Sequence, residues 1–387
     1  MGQSRSRGVA HVRLLDPLPN EASHDFAQEA AVAAYDDASA DKQTASAFDA
    51  LEALRQTGQG TSLKGHLGPV NDCAVFPDGL WVLSAGADGT ARIWDTASAI
   101  QRLILQGHDG EVRSCAAFVA GMAKALTGGA DCTVRVWDAH GGECLRVLRG
   151  HEGPVFCCSV SREEPLRALT LGDDRKAVLW DIAQGIVLQS FEGPEDPRER
   201  REPINYRRAQ AEFAEDRQTP GAGPHAGVIS SDGSCVAIAG GDDGENAAVL
   251  LDASTGEMKK ELEGRCCFGC SFVSDGKRMV TVGEEWTRHI AVLWDIETEE
   301  RLCTLEGPAY INCCTASPEG NLVITAGDDG RAQVWRAPES NGTAVQVCTL
   351  DCGEVQIRSL AVFPDSCRLA VACDDGTLWL WNLANPV

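Results

Sequence analysis

An all-β ring of seven four-stranded modules is the fold this sequence predicts, on three observations. Ile93-Trp94-Asp95, Val136-Trp137-Asp138 and Leu179-Trp180-Asp181 recur with a step of 43 residues, each preceded by a Gly-His pair at Gly65-His66, Gly107-His108 and Gly150-His151. Weaker copies follow at Leu251-Asp252, Leu293-Trp294-Asp295, Val334-Trp335-Arg336 and Leu380-Trp381-Asn382, with steps of 71, 43, 41 and 46, so seven units are present and one carries an insertion. Within each unit the apolar runs are short and bounded by turn residues, which is the pattern of strands rather than helices. Together these predict a seven-bladed β-propeller of four-stranded antiparallel blades over residues 59–387, preceded by an extension, 1–58, that is partly helical or disordered.

The strands of a unit follow in order. A first run such as 70–76, 112–118 or 357–363 leads to a turn signal, Pro77-Asp78-Gly79, Ser231-Asp232-Gly233, Ser274-Asp275-Gly276 or Pro318-Glu319-Gly320. A second run, 81–85 in the first unit, meets the hairpin turn Asp88-Gly89. The third ends at the Trp, and a fourth, such as 101–105, precedes the next Gly-His.

These residues resemble the WD-repeat (WD40) family, whose unit runs from Gly-His to Trp-Asp; the resemblance covers about residues 60–387 and is strongest in the first three units. It implies a buried polar tetrad per blade: His66, Ser84, Asp88 and Trp94; His108, Thr127, Asp131 and Trp137; His151, Thr170, Asp174 and Trp180. A repeating trio of His, hydroxyl and Asp reads as structure, although the same residue types serve catalysis elsewhere. Later units lose members: Leu251 replaces the fourth Trp, Gly307-Pro308 the sixth Gly-His, and Val371 the seventh hydroxyl. The seventh unit stops five residues before the end, and Thr61 to Lys64 precede the first Gly-His without a blade of their own. The resemblance implies that this N-terminal strand completes the last blade.

Seventeen cysteines invite a disulfide or metal reading. None lies before Cys73, and Cys73, Cys115, Cys158, Cys270 and Cys314 share one place in the first strand, where the expectation is small buried thiols around a central channel. Cys267 and Cys270 form a C-x-x-C without the second pair that a four-ligand zinc site needs. On an extended strand they also point to opposite faces. No metal is expected. Phosphate-loop, nucleophile-elbow and His-Glu-x-x-His motifs are missing, so no cofactor and no enzymatic activity are expected. Acidic pairs at Asp173-Asp174, Asp242-Asp243, Asp328-Asp329 and Asp374-Asp375 fall at the second hairpin, a turn position whose first member is placed to line a rim.

The net charge of −23 argues against nonspecific binding of nucleic acid or anionic membrane by the body of the protein. No apolar stretch reaches the roughly 20 residues of a membrane-spanning helix. Met1 to Leu15 holds three arginines and no apolar segment of secretory type, so the expectation is a cytoplasmic protein with reduced thiols.

Binding is expected on one face. The long step places an insertion, 194–225, in the Gly-His connection into unit four, which the resemblance implies is the top face. It carries Arg198, Arg200, Arg201, Tyr206, Arg207 and Arg208, a net-positive patch on an acidic chain suited to an acidic or phosphorylated peptide or a phospholipid headgroup. The alternative is a solvated loop without a partner. Unit five has a lengthened hairpin, 283–289, on the same face, with Trp286 and Arg288 as an interface anchor, or with the Trp folded back on its blade. Asn71, Arg113, Phe156, Asn312 and Arg358, near the start of the first strands, complete the candidate rim.

Met1-Gly2-Gln3-Ser4-Arg5-Ser6 fits the N-myristoylation pattern with Gly2 as the acylated residue, a single weak anchor if used and a short motif that also arises by coincidence. Helices are expected over 21–35 and 47–55. G-protein β subunits also join an N-terminal helix to seven blades, but no sustained heptads follow here and no γ-type partner is inferred. The function expected is a scaffold or adaptor binding proteins through its top face and reversibly tethered to membrane by Gly2. The alternatives are a recognition or regulatory subunit of an enzyme complex and, behind it, a propeller enzyme.

Overall fold

In units one, two, four, five and six the antiparallel meander turns where a glycine ends the first turn in the left-handed region, and in unit seven Ser366 takes that place. Gly79, Gly233, Gly276 and Gly320 all have φ between 66° and 72°, a conformation that costs other residues dearly. The computed structural model describes residues 12–13, 60–192, 226–239, 246–263, 267–273, 276–285, 288–307, 310–338 and 341–383. In blade one the strands are Val70–Val75, Trp81–Gly86, Thr90–Asp95 and Gln101–Gln106, hydrogen-bonded in that order from inside to outside. Blades two to six repeat the arrangement from inner strands Val112–Ala120, Val155–Val160, Ala226–Ile229, Cys267–Phe272 and Ile311–Ala316. Blade seven takes Ile357–Val362, Arg368–Cys373 and Thr377–Asn382 from the C-terminal end and its outer strand, Thr61–Lys64, from the N-terminal end, with Leu63 opposite Leu378. The closure expected from the two chain ends is what the sheet order shows.

A blade cannot bury both of its faces alone, and the core accordingly lies between blades. Seven apolar clusters fill the seven seams, one apiece: Leu83, Ile93, Cys115 and Trp137 between blades one and two, for example, and Cys73, Trp94, Phe363 and Ala370 between seven and one. The second strands are sandwiched on both sides, so Trp81–Gly86 and Leu322–Gly327 are buried at every residue and read as continuous apolar runs.

Of the inner-strand cysteines, Cys73, Cys115 and Cys314 occupy these seams rather than the channel wall. Cys73 Sγ reaches Ala370 O, Cys115 Sγ reaches Leu83 O and Cys314 Sγ reaches Val280 O, each on the second strand of the preceding blade, at 3.8 to 3.9 Å. The expectation of channel packing is corrected accordingly: strand alternation gives the neighbouring position, that of Asp72, Ser114, Cys157, Cys313 and Ser359, to the channel. Every described cysteine is a free thiol. A bulge at Phe268 lies between Cys267 and Cys270, so the alternation argument against a C-x-x-C site fails as stated. Among the described residues, however, no group of three or more His, Cys, Asp or Glu is placed to hold a metal.

The tetrads are intact in the first three blades. Trp94 Nε1 donates to Ser84 Oγ at 2.8 Å, Ser84 Oγ is 2.8 Å from His66 Nε2, and His66 Nδ1 is 3.0 Å from Asp88. Blade two repeats this through Trp137, Thr127, His108 and Asp131, and blade three through Trp180, Thr170, His151 and Asp174. The network is satisfied when Nδ1 carries the hydrogen and Nε2 accepts from the hydroxyl. The imidazoles of His66 and His151 are fully enclosed, so these groups face no substrate. Reduced forms persist further on. Trp294 donates to Thr281 and Trp335 to Thr325. In blade six the buried Gln333 Oε1, beside the place an imidazole would fill, has no hydrogen-bond partner among the described residues.

One strand was not expected. Val12–Arg13 pairs with the outer strand of blade one, Val12 opposite Leu105 and Arg13 opposite Ile104, so the N-terminal extension adds a fifth strand there. The residue at this register is apolar in blades one and two, Ile104 and Val147, and Ser190, Glu261, Thr304, Thr349 or Ser62 in blades three to seven. The helices expected over 21–35 and 47–55, and Gly2, lie outside the described residues.

Candidate protein-interaction face

The first strand of each blade starts beside the Gly-His loop and the Asp hairpin, so all three lie at one end of the disc. Val70 pairs with Gly86, and the chain from Gly86 turns at once into Asp88. At this end the inner strands share a distortion. The register shifts between Val70 and Asp72, Val112 and Ser114, Val155 and Cys157, Ile311 and Cys313, and Ile357 and Ser359. The residues inside these five bulges are Asn71, Arg113, Phe156, Asn312 and Arg358, the five rim candidates. A bulge leaves its extra residue out of the ladder and re-aims its side chain. A sixth bulge, between Cys267 and Gly269, presents Phe268 in blade five, which the sequence reading missed because it was weighing the neighbouring cysteines.

Hydrogen bonds tie the polar side chains among these into a rim across five consecutive blades. Asn312 Nδ2 donates to Asp328 Oδ1 at 2.7 Å, and Gln356 Nε2 donates to the same oxygen from the next blade. Two residues on, Arg358 Nη1 reaches Asn71 Oδ1 at 3.4 Å, and Asn71 Nδ2 donates to Val112 O at 3.0 Å. Arg113 Nη1 then donates to Asp173 Oδ2 at 3.0 Å on the hairpin of blade three. Asp173 and Asp328 are first members of the acidic hairpin pairs, while Asp174 serves its tetrad. Arg358 is exposed; Asn71, Arg113, Phe156 and Asn312 are half-buried.

Blade five continues the face. Its lengthened hairpin extends the ladder to Glu285 opposite Arg288, and Arg288, exposed, pairs with Glu306 of the outer strand at 2.9 Å. Beside it the rings of His289 and Tyr310 lie 3.9 Å apart and those of Phe268 and Tyr310 5.8 Å apart. Trp286 lies outside the described residues, as does the segment holding Arg198, Arg200, Arg201, Tyr206, Arg207 and Arg208. The chain leaves blade three at Glu192 and enters blade four at Ala226, so the insertion departs from and returns to this same end.

Seven blades closed by strand exchange, with a His-hydroxyl-Asp-Trp relay in the best-formed ones, define a WD-type propeller. The family described as "WD domain, G-beta repeat" matches residues 58–95, 100–138, 142–181, 299–336 and 344–382, and the chain belongs to that family. Its propellers generally act as protein-interaction scaffolds and are usually not catalytic. Individual relatives are similar over short stretches. A human protein named WD repeat-containing protein 86 is 39% identical over 61 residues, 15% of this chain and 16% of its own length. Ribosome biogenesis protein erb1 of Aspergillus clavatus and of Aspergillus oryzae is 44% identical over 45 residues, 12% of this chain and 6% of its own length. Stretches of that size correspond to one repeat or little more, and the chain covers far less than two thirds of any of these relatives.

Proposed function

We propose that this protein is a scaffold or adaptor that recruits another protein through the rim formed by Asn71, Arg113, Phe156, Asn312 and Arg358, extended by Arg288 in blade five. The repeated bulge carries this reading. Six of the seven inner strands share a backbone distortion at one position, yet that position holds Asn, Arg, Phe, Phe, Asn and Arg. A purely structural repeat would call for one residue type at the same backbone position. Varied polar, cationic and aromatic side chains at one end of a rigid disc suit a protein surface.

The finer reading assigns the arginines of 198–208 to the same face, where they favour an acidic or phosphorylated segment of the partner through bidentate hydrogen bonds. Myristoylation of Gly2 supplies a weak, reversible membrane tether to a cytoplasmic protein in this proposal. Affinity capture with the full chain, compared with a version in which a short Gly-Ser linker replaces 194–225, tests the finer reading: the captured set shrinks if the arginines contribute and is unchanged if they do not. The mass of the mature N-terminus decides the tether, since an unmodified Gly2 removes it.

A further inference from the structure

Blade seven departs from the first three blades at its loop and at the end of its second strand, two places that share one buried cluster. In blades one, two and three the loop reads Gly-His, and the imidazole lies over the glycine that ends the second strand. A Cβ on Gly86 would stand 2.2 Å from His66 Nδ1, one on Gly129 2.3 Å from His108 Nδ1, and one on Gly172 2.6 Å from His151 Nδ1. An imidazole and a side chain cannot share that place. Blade seven has lost the imidazole: its loop reads Cys352-Gly353, and the strand-ending glycine has become Cys373, opposite Ile357 as Gly86 is opposite Val70. Two thiols now occupy the vacated space. The two side chains neighbour one another, and both belong to the buried cluster that contains Trp381.

We propose that Cys352 and Cys373 are a redox pair that closes to a disulfide on exposure to hydrogen peroxide, with Cys352 as the attacking thiolate. The two groups differ in a way that suits these roles. The hydrogen bond from Cys373 holds the Cys352 thiol below its ordinary range, and the same contact with burial holds Cys373 well above it. The seam and channel thiols Cys73, Cys115, Cys158 and Cys313 are instead raised by burial, which leaves them unreactive. Cys352 keeps 8% of its surface exposed, whereas Cys373 is fully enclosed.

The chemistry balances with the peroxide as oxidant. The Cys352 thiolate attacks one peroxide oxygen; an S–O bond forms, the O–O bond breaks, and the leaving oxygen takes a proton to become water. Cys373 sulfur then attacks the sulfenic sulfur; the S–S bond forms, the S–O bond breaks, and the departing hydroxide takes the Cys373 proton as a second water. Two thiols are oxidised by two electrons and one peroxide is reduced to two waters. The crosslink encloses the inner strand of blade seven, including Arg358 and Ser359.

The test uses the full-length protein treated with hydrogen peroxide, quenched by alkylation in denaturant, digested and mapped by mass spectrometry. A linked peptide joining Cys352 to Cys373 is expected, reversed by dithiothreitol, with both sites losing alkylation together and before the exposed Cys367 does. Cys373→Ser is expected to leave Cys352 as a sulfenic acid that dimedone traps. Should that variant fail to fold, the wild-type peptide map alone decides. The proposal is overturned if Cys352 and Cys373 remain alkylated while Cys367 is consumed, or if Cys352 is found linked to any other cysteine.

Discussion

The hydroxyl of Ser359 in blade seven donates to Asp72 Oδ1 in blade one at 2.6 Å, across the seam where the ring closes. On its other side Asp72 Oδ2 accepts from Ser114 Oγ at 2.7 Å and from the Cys115 amide at 2.9 Å in blade two, while its own neighbour, the Cys73 amide, donates to Oδ1. One carboxylate thus fastens three consecutive blades at the channel wall. An asparagine cannot replace it, because either amide orientation sets an NH2 against a backbone N–H. Asp72→Asn is therefore expected to cost about 1–3 kcal/mol, and Ser359→Ala about 1 kcal/mol. Midpoints of chemical denaturation measure both, and an unchanged midpoint for Asp72→Asn would contradict the assignment.

The tetrads predict opposite outcomes for one kind of substitution in two blades. Thr127→Val preserves shape but strips the hydroxyl that Trp137 Nε1 and His108 Nε2 both use, and it is expected to destabilise by about 1–3 kcal/mol. In blade seven Val371 stands where that hydroxyl would be, and the buried Trp381 indole N–H lacks the oxygen acceptor its sisters have. Val371→Thr is expected to stabilise by up to about 1 kcal/mol. Thermal unfolding of the two variants side by side checks the pair; a loss in both would show that the relay matters only where its histidine is present.

Gly86 is required by its neighbour rather than by its own backbone. A methyl there would overlap His66 Nδ1 at 2.2 Å, so Gly86→Ala must displace the imidazole or the strand, at about 1–3 kcal/mol. His66→Ala removes the nearest obstacle along with the relay, leaving Asp88 Oδ1 at 2.7 Å from the methyl position. The two changes together are accordingly expected to cost less than their sum, with a coupling of about 0.5–3 kcal/mol in a double-mutant cycle. Additive losses would mean the glycine serves something other than the imidazole.

The parts of this fold that were legible share a property: they rest on residue types at fixed short spacings. His66, Ser84, Asp88 and Trp94 fall within one unit, and the left-handed glycines follow turn signals of two or three residues. What was missed depends on partners remote in the chain. Asp72 resembles any strand-edge carboxylate until Ser114 and Ser359, 42 and 287 residues away, are brought against it. The bulges that present the rim residues leave no mark in the sequence, and Phe268 is flanked by cysteines that suggest a different chemistry. The Trp294 to Thr281 bond was hidden by the missing Gly-His of unit five.

The carboxylates make two opposed contributions to acid stability. Burial alone would raise Asp88 and Asp131, but hydrogen bonds from His66 and Thr90, and from His108 and Thr133, outweigh it and hold both below the ordinary range; Asp174 is lowered likewise by the Glu152 amide and His151. Their stabilisation is whole above the unfolded value of about 3.9 and is lost as pH falls through the lower folded values. Asp72 has the opposite sign, because burial raises it in spite of Ser359 and Ser114. Its contribution is whole below the unfolded value and is lost as pH rises through the folded one. Denaturation midpoints across pH are thus expected to fall steeply below about pH 4. Asp88→Asn should flatten that limb and Asp72→Asn the limb above it. Parallel curves for wild type and both variants would refute the shifts.

Rim and scaffold should separate experimentally. Arg358 is exposed and holds Asn71 only through a long 3.4 Å contact, so replacing it leaves tetrads and seams intact, whereas Phe156 is half-buried and packs against the seam between blades three and four. Arg358→Glu is expected to change stability by no more than about 0.5 kcal/mol, as is usual for surface positions, and Phe156→Ala by somewhat more because part of the ring is buried. The pair together should nonetheless abolish capture of the protein partner. Ile100, 62% exposed at the opposite end of the disc in the turn before the outer strand of blade one, provides the control. Ile100→Ala should leave capture unchanged, whereas equal losses from the two ends would show that the partner is not read by the bulged residues.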